Sequence, residues 1–259
     1  MDTALITGAS SGIGYEFAHI FAREKINLVL VARNRDKLDS LANDLRSGYG
    51  IKILVIAKDL GEEHAVEMVL AEVKAQNIVI DYLINNAGFG EFGLFHETAW
   101  NKEKKMIEVN IIALTALTKF FLSDMVKRNT GRILNVASTA AFMPGPLMAV
   151  YYASKAYVLH FSEAIAEELK DTKVTVTVLC PGPTESGFQE VAGNQDSKLT
   201  KGKKLPSSKE VAELGYKAMM RGQRISIHGF LNYVLISAPR LLPRSWVTSV
   251  VRKVSEKKK

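Results

Sequence analysis

The sequence predicts an α/β protein: a doubly wound parallel sheet, three layers thick, in a single domain over residues 1–259. Three observations carry that prediction. Short apolar runs recur without the in-out alternation of a half-exposed strand, amphipathic helical stretches separate them, and a glycine-rich turn joins the first run to the first helix. The length suits one large domain, with no linker, internal repeat or low-complexity block to divide it.

The apolar runs fall at residues 4–7, 28–32, 52–57, 82–85, 132–137 and 175–179. Helical spacing marks 14–24 through Phe17, Ile20 and Phe21, and 35–47 through Leu38, Leu41, Ala42 and Leu45. It continues at 62–75 with Ala65, Val66, Val69 and Val73, and helices are also expected at 102–128 and 151–170. Strand and helix alternating at this interval imply right-handed crossovers that place helices on both faces. Two stretches depart from the pattern. Residues 183–206 mix Pro, Gly and Ser with Lys198, Lys201, Lys203 and Lys204, and are expected to form a substrate lid loop. Residues 225–259 comprise an apolar segment, broken by Pro239 and Pro243 among Arg240 and Arg244, and then a basic tail. Packing on the core or on a partner subunit is the expectation for that segment. An amphipathic element lying on a membrane surface is the second reading.

A hydrophobic content of 47% with 24% charged residues is ordinary for a folded chain and excludes a disordered one. The net charge is +7, and Arg252, Lys253, Lys257, Lys258 and Lys259 against Glu256 supply +4 of it. The excess is therefore concentrated in the tail and requires no nucleic-acid surface. A lone cysteine, Cys180, excludes an internal disulfide. With a Met1-Asp2 start that lacks a signal-peptide pattern, it leads to the expectation of a cytoplasmic protein. No uninterrupted apolar run of 18 residues occurs, so no spanning helix is expected. The five histidines (His19, His64, His96, His160, His228) lack metal-ligand spacing, and no metal site is predicted.

The residues that suggest chemistry lie near the middle of the chain. Tyr151 and Lys155 are four apart, a spacing that stacks them on one helix face about 6 Å apart at Cβ. The ammonium is expected to favour the phenolate and bring the phenol's pKa down. Ser138 follows the run at 132–137, so its hydroxyl should emerge at the carboxyl end of a strand, where open α/β sheets bind ligands. Together these supply a proton donor, its tuner and a hydrogen-bonding group for a substrate oxygen. At the other end of the chain, Thr7-Gly8-Ala9-Ser10-Ser11-Gly12-Ile13-Gly14 joins strand to helix. Its glycines allow a tight turn and close approach of a pyrophosphate to a helix N-terminus. Arg33 closes the second strand, followed by Asn34 and, one turn on, Lys37. A guanidinium there suits a ribose 2′-phosphate where a carboxylate would suit a free hydroxyl, so NADP(H) is favoured over NAD(H).

With these motifs in order, residues 3–190 resemble the short-chain dehydrogenase/reductase family, in its NADP(H)-preferring carbonyl or ketoacyl reductase form, with a Rossmann-like fold. The resemblance implies that Gly8, Ser10, Ser11, Gly12, Ile13 and Gly14 form the family's cofactor-binding glycine motif, that Asp59 is its adenine-contacting aspartate and that Leu60 beside it also binds the cofactor. Asn86, Ala87 and Gly88, after Asn85, match the family's Asn-Asn-Ala-Gly motif. Pro181, Gly182, Thr184 and Ser186 match its nicotinamide-side motif. Asn110, Ser138, Tyr151 and Lys155 match its four catalytic positions. By that analogy Asn110 kinks its helix and holds a water linking Lys155 to solvent, Lys155 contacts the nicotinamide ribose, and Tyr151 also counts among the cofactor-binding residues. Tyr152, one residue away, is assigned to packing. Phe89, Thr139, Met143, Met148 and Phe188 are expected to wall a mostly apolar substrate pocket. The expected activity is hydride transfer between NADPH and a ketone or secondary alcohol, 3-oxoacyl substrates included, by a homodimer or homotetramer. The alternatives are a non-catalytic NADPH sensor and a membrane-surface scaffold. Such a decayed relative would be expected to lose the acid or its lysine, and this chain has both.

Overall fold

The computed structural model describes residues 1–256 apart from 199, 200, 203, 238, 240 and 241. Seven strands form one parallel sheet: β1 (Thr3–Thr7), β2 (Asn27–Ala32), β3 (Ile53–Ala57), β4 (Tyr82–Asn85), β5 (Gly131–Val136), β6 (Val174–Cys180) and β7 (Ile225–Ile227). Their order across the sheet is β3-β2-β1-β4-β5-β6-β7, with parallel pairing throughout. The chain winds outward in one direction from β1 and in the other from β4. The carboxyl ends of those two strands therefore flank a crevice.

The helices follow from capping as well as from periodicity. The first, α1 (Gly12–Arg23), carries no acidic residue in its opening turn. The second, α2 (Arg35–Tyr49), starts where Asn34 Oδ1 accepts from the Lys37 N–H and stops at Gly50 in the left-handed conformation. Next come α3 (Ala65–Ala75), α4 (Trp100–Ile107), a π-helical stretch Glu108–Ala113, α5 (Leu114–Arg128) and α6 (Ala149–Glu168). The chain ends with α7 (Phe188–Ala192), α8 (Ser208–Met220), α9 (Phe230–Ser237) and α10 (Arg244–Ser255). A reciprocal capping box between Ser207 and Glu210 begins α8.

Alternate residues of each strand feed opposite faces of the sheet. Ile6 and Leu30 join Phe17, Phe21, Leu38 and Met219 in one core. Leu5 and Val29 join Val69, Val73, Leu117 and Ile165 in the other. This gives the three predicted layers. A polar ladder crosses the second core. Asn85 donates to Thr118 and to Asn135, both at 2.9 Å, and Asn135 donates to Ser162 at 2.9 Å. It ties β4, β5, α5 and α6 together beneath the crevice.

Several expectations are corrected. The apolar segment that begins at 225 opens with β7, an edge strand paired to Val178–Cys180 of β6; three residues are too few to show a strand pattern. Helix α8 was not foreseen. The helix expected from 62 starts at Ala65, because His64 before it is left-handed, and the one expected from 151 starts at Ala149. Trp100–Arg128 is continuous helix, long and apolar enough on average to cross a membrane. Polar interruptions such as Asn110 and Thr118 hid it from a search for an unbroken run, and here it lies along the sheet with Met106, Leu117 and Met125 buried. Among the lid lysines Lys203, and in the C-terminal part Arg240 and residues 257–259, lie outside the described residues.

The ladder predicts a cost for cutting it. Asn135→Leu should destabilise the protein by about 2–3 kcal/mol, because Asn85 and Ser162 are left buried without their partner. The shift of the urea unfolding midpoint measures this, and a change below about 0.5 kcal/mol would count against the ladder.

Candidate active site

A cavity of about 970 Å³ runs along the carboxyl ends of the strands, over the crevice between β1 and β4. At one end lies the glycine turn. Gly8 and Gly12 adopt φ of +67° and +56°, a region in which a side chain is strained. The Gly14 Cα faces the Gly8 carbonyl with no room for a β-carbon. Asn86 braces the turn, its Nδ2 donating to the Thr7 carbonyl at 3.0 Å and the Gly8 carbonyl at 3.3 Å. Thr7 Oγ1 in turn accepts from the N–H groups of Asn86 and Ala87, each at 3.0 Å. A helix N-terminus without acidic residues, approached through backbone alone, fits a pyrophosphate.

Beyond the turn, Arg33, Lys37 and Lys58 line the cavity. The first two are solvent-exposed, and Lys58 lies 3.7 Å from Glu62. Asp59 accepts from the Gly61 N–H at 3.0 Å and pairs with Lys105 at 2.7 Å. Burial pushes its carboxyl up, but Lys105, the Gly61 N–H and Arg33 together hold it below the ordinary aspartate range. Lys58 and Lys105 were missed in the sequence; only the fold brings α4 beside the end of β3.

The other end is built by β5 and α6. Ser138 caps a short 3-10 turn, Thr139–Phe142, and its Oγ accepts from the Ala140 N–H at 3.1 Å. It also donates to the Pro181 carbonyl at 3.3 Å. Tyr151 and Lys155 project from one face of α6, both buried, with Lys155 Nζ 5.9 Å from the centre of the Tyr151 ring. Lys155 donates to the Val136 carbonyl at 2.8 Å. Asn110, within the π-helical stretch, donates to the Phe89 carbonyl at 3.0 Å and to Ser154 at 3.0 Å. Its Oδ1 accepts from the Phe89 N–H at 3.2 Å. The distortion expected at Asn110 is thus present as a widened turn, and its amide clamps the loop after β4 that carries Gly88 and Phe89.

The expectation about Tyr151 is corrected. Burial dominates and pushes its phenol well above the usual tyrosine range, a hydrogen bond with Ser138 works against that, and Tyr152 adds to it. Burial also lowers Lys155 to about 8. Desolvation thus opposes both charged forms and outweighs the expected pull of the ammonium on the phenol.

All the predicted cofactor and pocket residues line the cavity except Gly14 and Asn34. Gly14 packs inside the turn, and Asn34 is spent capping α2. Asn110 lies behind the wall. Thr184 Oγ1 donates to the Gly182 carbonyl at 2.9 Å, and Ser186 Oγ accepts from the Phe188 N–H at 3.3 Å. Phe89, Thr139, Met143, Met148 and Phe188 do form one wall, and the Phe188 ring tilts over Tyr151 at 5.1 Å. Tyr152 packs edge-on to Tyr151 at 6.0 Å, but it also lines the cavity. The outer wall was not foreseen: it comes from α9 and α10, through Leu235, Trp246 and Val250. Two of the lid lysines are paired, Lys198 with Glu256 at 3.3 Å and Lys201 with Asp196 at 3.1 Å. Lys204 is exposed and has no ion-pair partner among the described residues.

The lowered Lys155 value has a thermodynamic consequence. The unfolded chain holds this proton more tightly, so burial costs about 3 kcal/mol below pH 8, a penalty lifted as the pH rises toward 10.5. Between about pH 7.5 and 9.5 the wild type should gain about 2 kcal/mol relative to Lys155→Met, measured by urea unfolding. Parallel pH profiles for the two proteins would contradict it.

A family model described as short chain dehydrogenase matches residues 2–197. Over 182 residues the chain is 33% identical to the very-long-chain 3-oxoacyl-CoA reductase of Bos taurus, covering 69% of this chain and 58% of that protein. The chain therefore spans little more than half the length of that relative. A short-chain dehydrogenase from Sphingobium yanoikuyae in complex with NADPH superposes with a TM-score of 0.82 at 30% identity, over 93% of this chain and 94% of that one. The bulky-bulky ketone specific alcohol dehydrogenase of Comamonas testosteroni gives 0.79 at 29% identity, over 93% and 92%. The matched span contains the glycine turn, the Ser138–Tyr151–Lys155 cluster and the loop at residues 181–186, and the chain belongs to the short-chain dehydrogenase family.

Proposed function

We propose that the protein is an NADPH-dependent ketoreductase acting on apolar ketones, 3-oxoacyl thioesters among them. One observation carries this reading: Ser138, Tyr151 and Lys155 meet on one wall of a cavity whose far end has a phosphate-accepting turn and the exposed cations Arg33 and Lys37. When bound, the nicotinamide supplies the hydride. Everything else falls to the protein's own groups.

A carbonyl oxygen placed between Ser138 and Tyr151 meets two hydroxyls. Ser138 stabilises charge developing on that oxygen, and the Tyr151 phenol, kept protonated by burial, hands over its proton. Once the proton has left, the phenolate faces the Lys155 ammonium in a site that water does not screen, and attraction between them becomes strong. Lys155 thus acts after transfer begins and leaves the resting phenol intact. Asn110, through Phe89, fixes the backbone opposite that ammonium.

Arg33 and Lys37 support NADPH as the preferred form, because exposed guanidinium and ammonium groups beside the second strand suit a 2′-phosphate. The wall from Phe89 to Phe188 and the apolar mouth support a ketone with substantial hydrocarbon, in keeping with the names of the bovine and Comamonas proteins. A homodimer or homotetramer is supported by Ile112, Phe120 and Tyr157, exposed on the long helices. A cytoplasmic location agrees with the buried free thiol of Cys180.

Two measurements test the reading. Tyr151→Phe should lower kcat for NADPH-driven ketone reduction by about 100-fold or more, with NADPH affinity retained. Undiminished turnover would remove the phenol from the chemistry. Arg33→Ala should weaken NADPH binding by about tenfold or more and leave NADH binding unchanged. Equal losses for both would place Arg33 elsewhere.

A further inference from the structure

Helix α9 is built the wrong way round for a protein surface facing water. Its sequence, Phe-Leu-Asn-Tyr-Val-Leu-Ile-Ser, contains no charge, and among its residues only Ile236 is buried. Phe230 is 83% exposed and Leu231 70%, with Tyr233 and Val234 beside them. An ordinary surface helix turns such residues inward. Helix α10 continues the patch. It anchors itself through Val247 and Val251, while Trp246 and Val250 stay exposed along the cavity mouth. The family match stops at residue 197, so both helices lie beyond it.

The charges carried by these two helices are one-sided, although Glu190 of α7 also reaches the cavity. Arg244 and Lys253 are exposed on α10 and have no carboxylate partner among the described residues. Arg252 and Lys198 share the single carboxylate of Glu256. A second copy meeting this face across a two-fold axis would bring like charges together. An anionic lipid surface offers the opposite charge to the cations and hydrocarbon to the aromatic and aliphatic side chains at once.

We propose that α9 and the outer face of α10 form a docking surface for an anionic phospholipid bilayer. Phe230, Leu231 and Val234 enter the acyl boundary, Trp246 sits at the headgroup level, and Arg244 and Lys253 contact phosphates. Leu235 and Trp246 are both exposed and part of the cavity wall, so the docked protein would open its cavity toward the hydrocarbon. The surface stands independently of the reaction proposed above.

The test is sedimentation of the full chain with phosphatidylcholine vesicles, with and without about 30 mol% phosphatidylserine. The wild type should partition at least about tenfold better onto the anionic vesicles, less so at high salt. Phe230→Ser with Leu231→Ser and Val234→Ser should abolish binding. Arg244→Glu with Lys253→Glu should reduce it about tenfold or more. Both variants should keep wild-type turnover of a small water-soluble ketone, which separates this surface from the catalytic reading. Absence of vesicle binding by the wild type, or binding that both variants retain, would overturn the proposal. So would a serine variant that converts a wild-type dimer to monomer in sedimentation velocity, since the patch would then be a subunit interface.

Discussion

Taking a phenol and an ammonium out of water together, at the carboxyl end of β5, is the constraint on which the site depends. Each group alone would be pushed toward its neutral form, and the shifts on Tyr151 and Lys155 run in that direction. The fold sustains the arrangement because Lys155 has the Val136 carbonyl and Tyr151 has Ser138 as partners. The result is a phenol held protonated beside a cation whose attraction grows only when the proton departs. A proton donor at neutral pH needs that order of events.

The surrounding architecture serves this geometry. The reversal of strand order between β1 and β4 opens the crevice, and the glycine turn and the Ser138–Tyr151–Lys155 cluster sit at its two ends. The Asn85–Asn135–Ser162 ladder fixes the helices beneath it. The π-helical turn at Asn110 aims an amide at Phe89 that a regular α-helix would direct elsewhere. Gly145 lies against the Tyr152 ring with no space for a β-carbon, which holds the start of α6 close to the loop after β5. Stability is given up at Lys155, and the two large cores on either side of the sheet offset it.

Much of this was legible in the sequence, for identifiable reasons. Strands buried on both faces announce themselves as apolar runs, and Phe17, Leu38 and Val69 all lie on the predicted helix faces. The pairing of Tyr151 with Lys155 was readable because i,i+4 on a helix is a local geometry. What stayed hidden depended on distant packing. Lys105 reaches Asp59 only because α4 crosses the end of β3. β7 is three residues long and defined by its neighbour. The direction of the Tyr151 shift required knowing how deeply the phenol is buried, which spacing alone does not reveal. The apolar character of the C-terminal segment was plain, but its split into an inward stripe at Val247 and Val251 and an outward one at Trp246 and Val250 required the fold.

The central claim is that burial, more than the neighbouring ammonium, sets the resting state of Tyr151. Carbon-13 labelling of the tyrosine ring, assigned with Tyr151→Phe and followed by NMR across a pH titration of the ligand-free protein, addresses it directly. The Tyr151 resonance should keep its protonated position beyond pH 10, after an exposed tyrosine has begun to ionise. Ionisation of Tyr151 near neutral pH would contradict the account and return the lysine to the role of resting-state tuner.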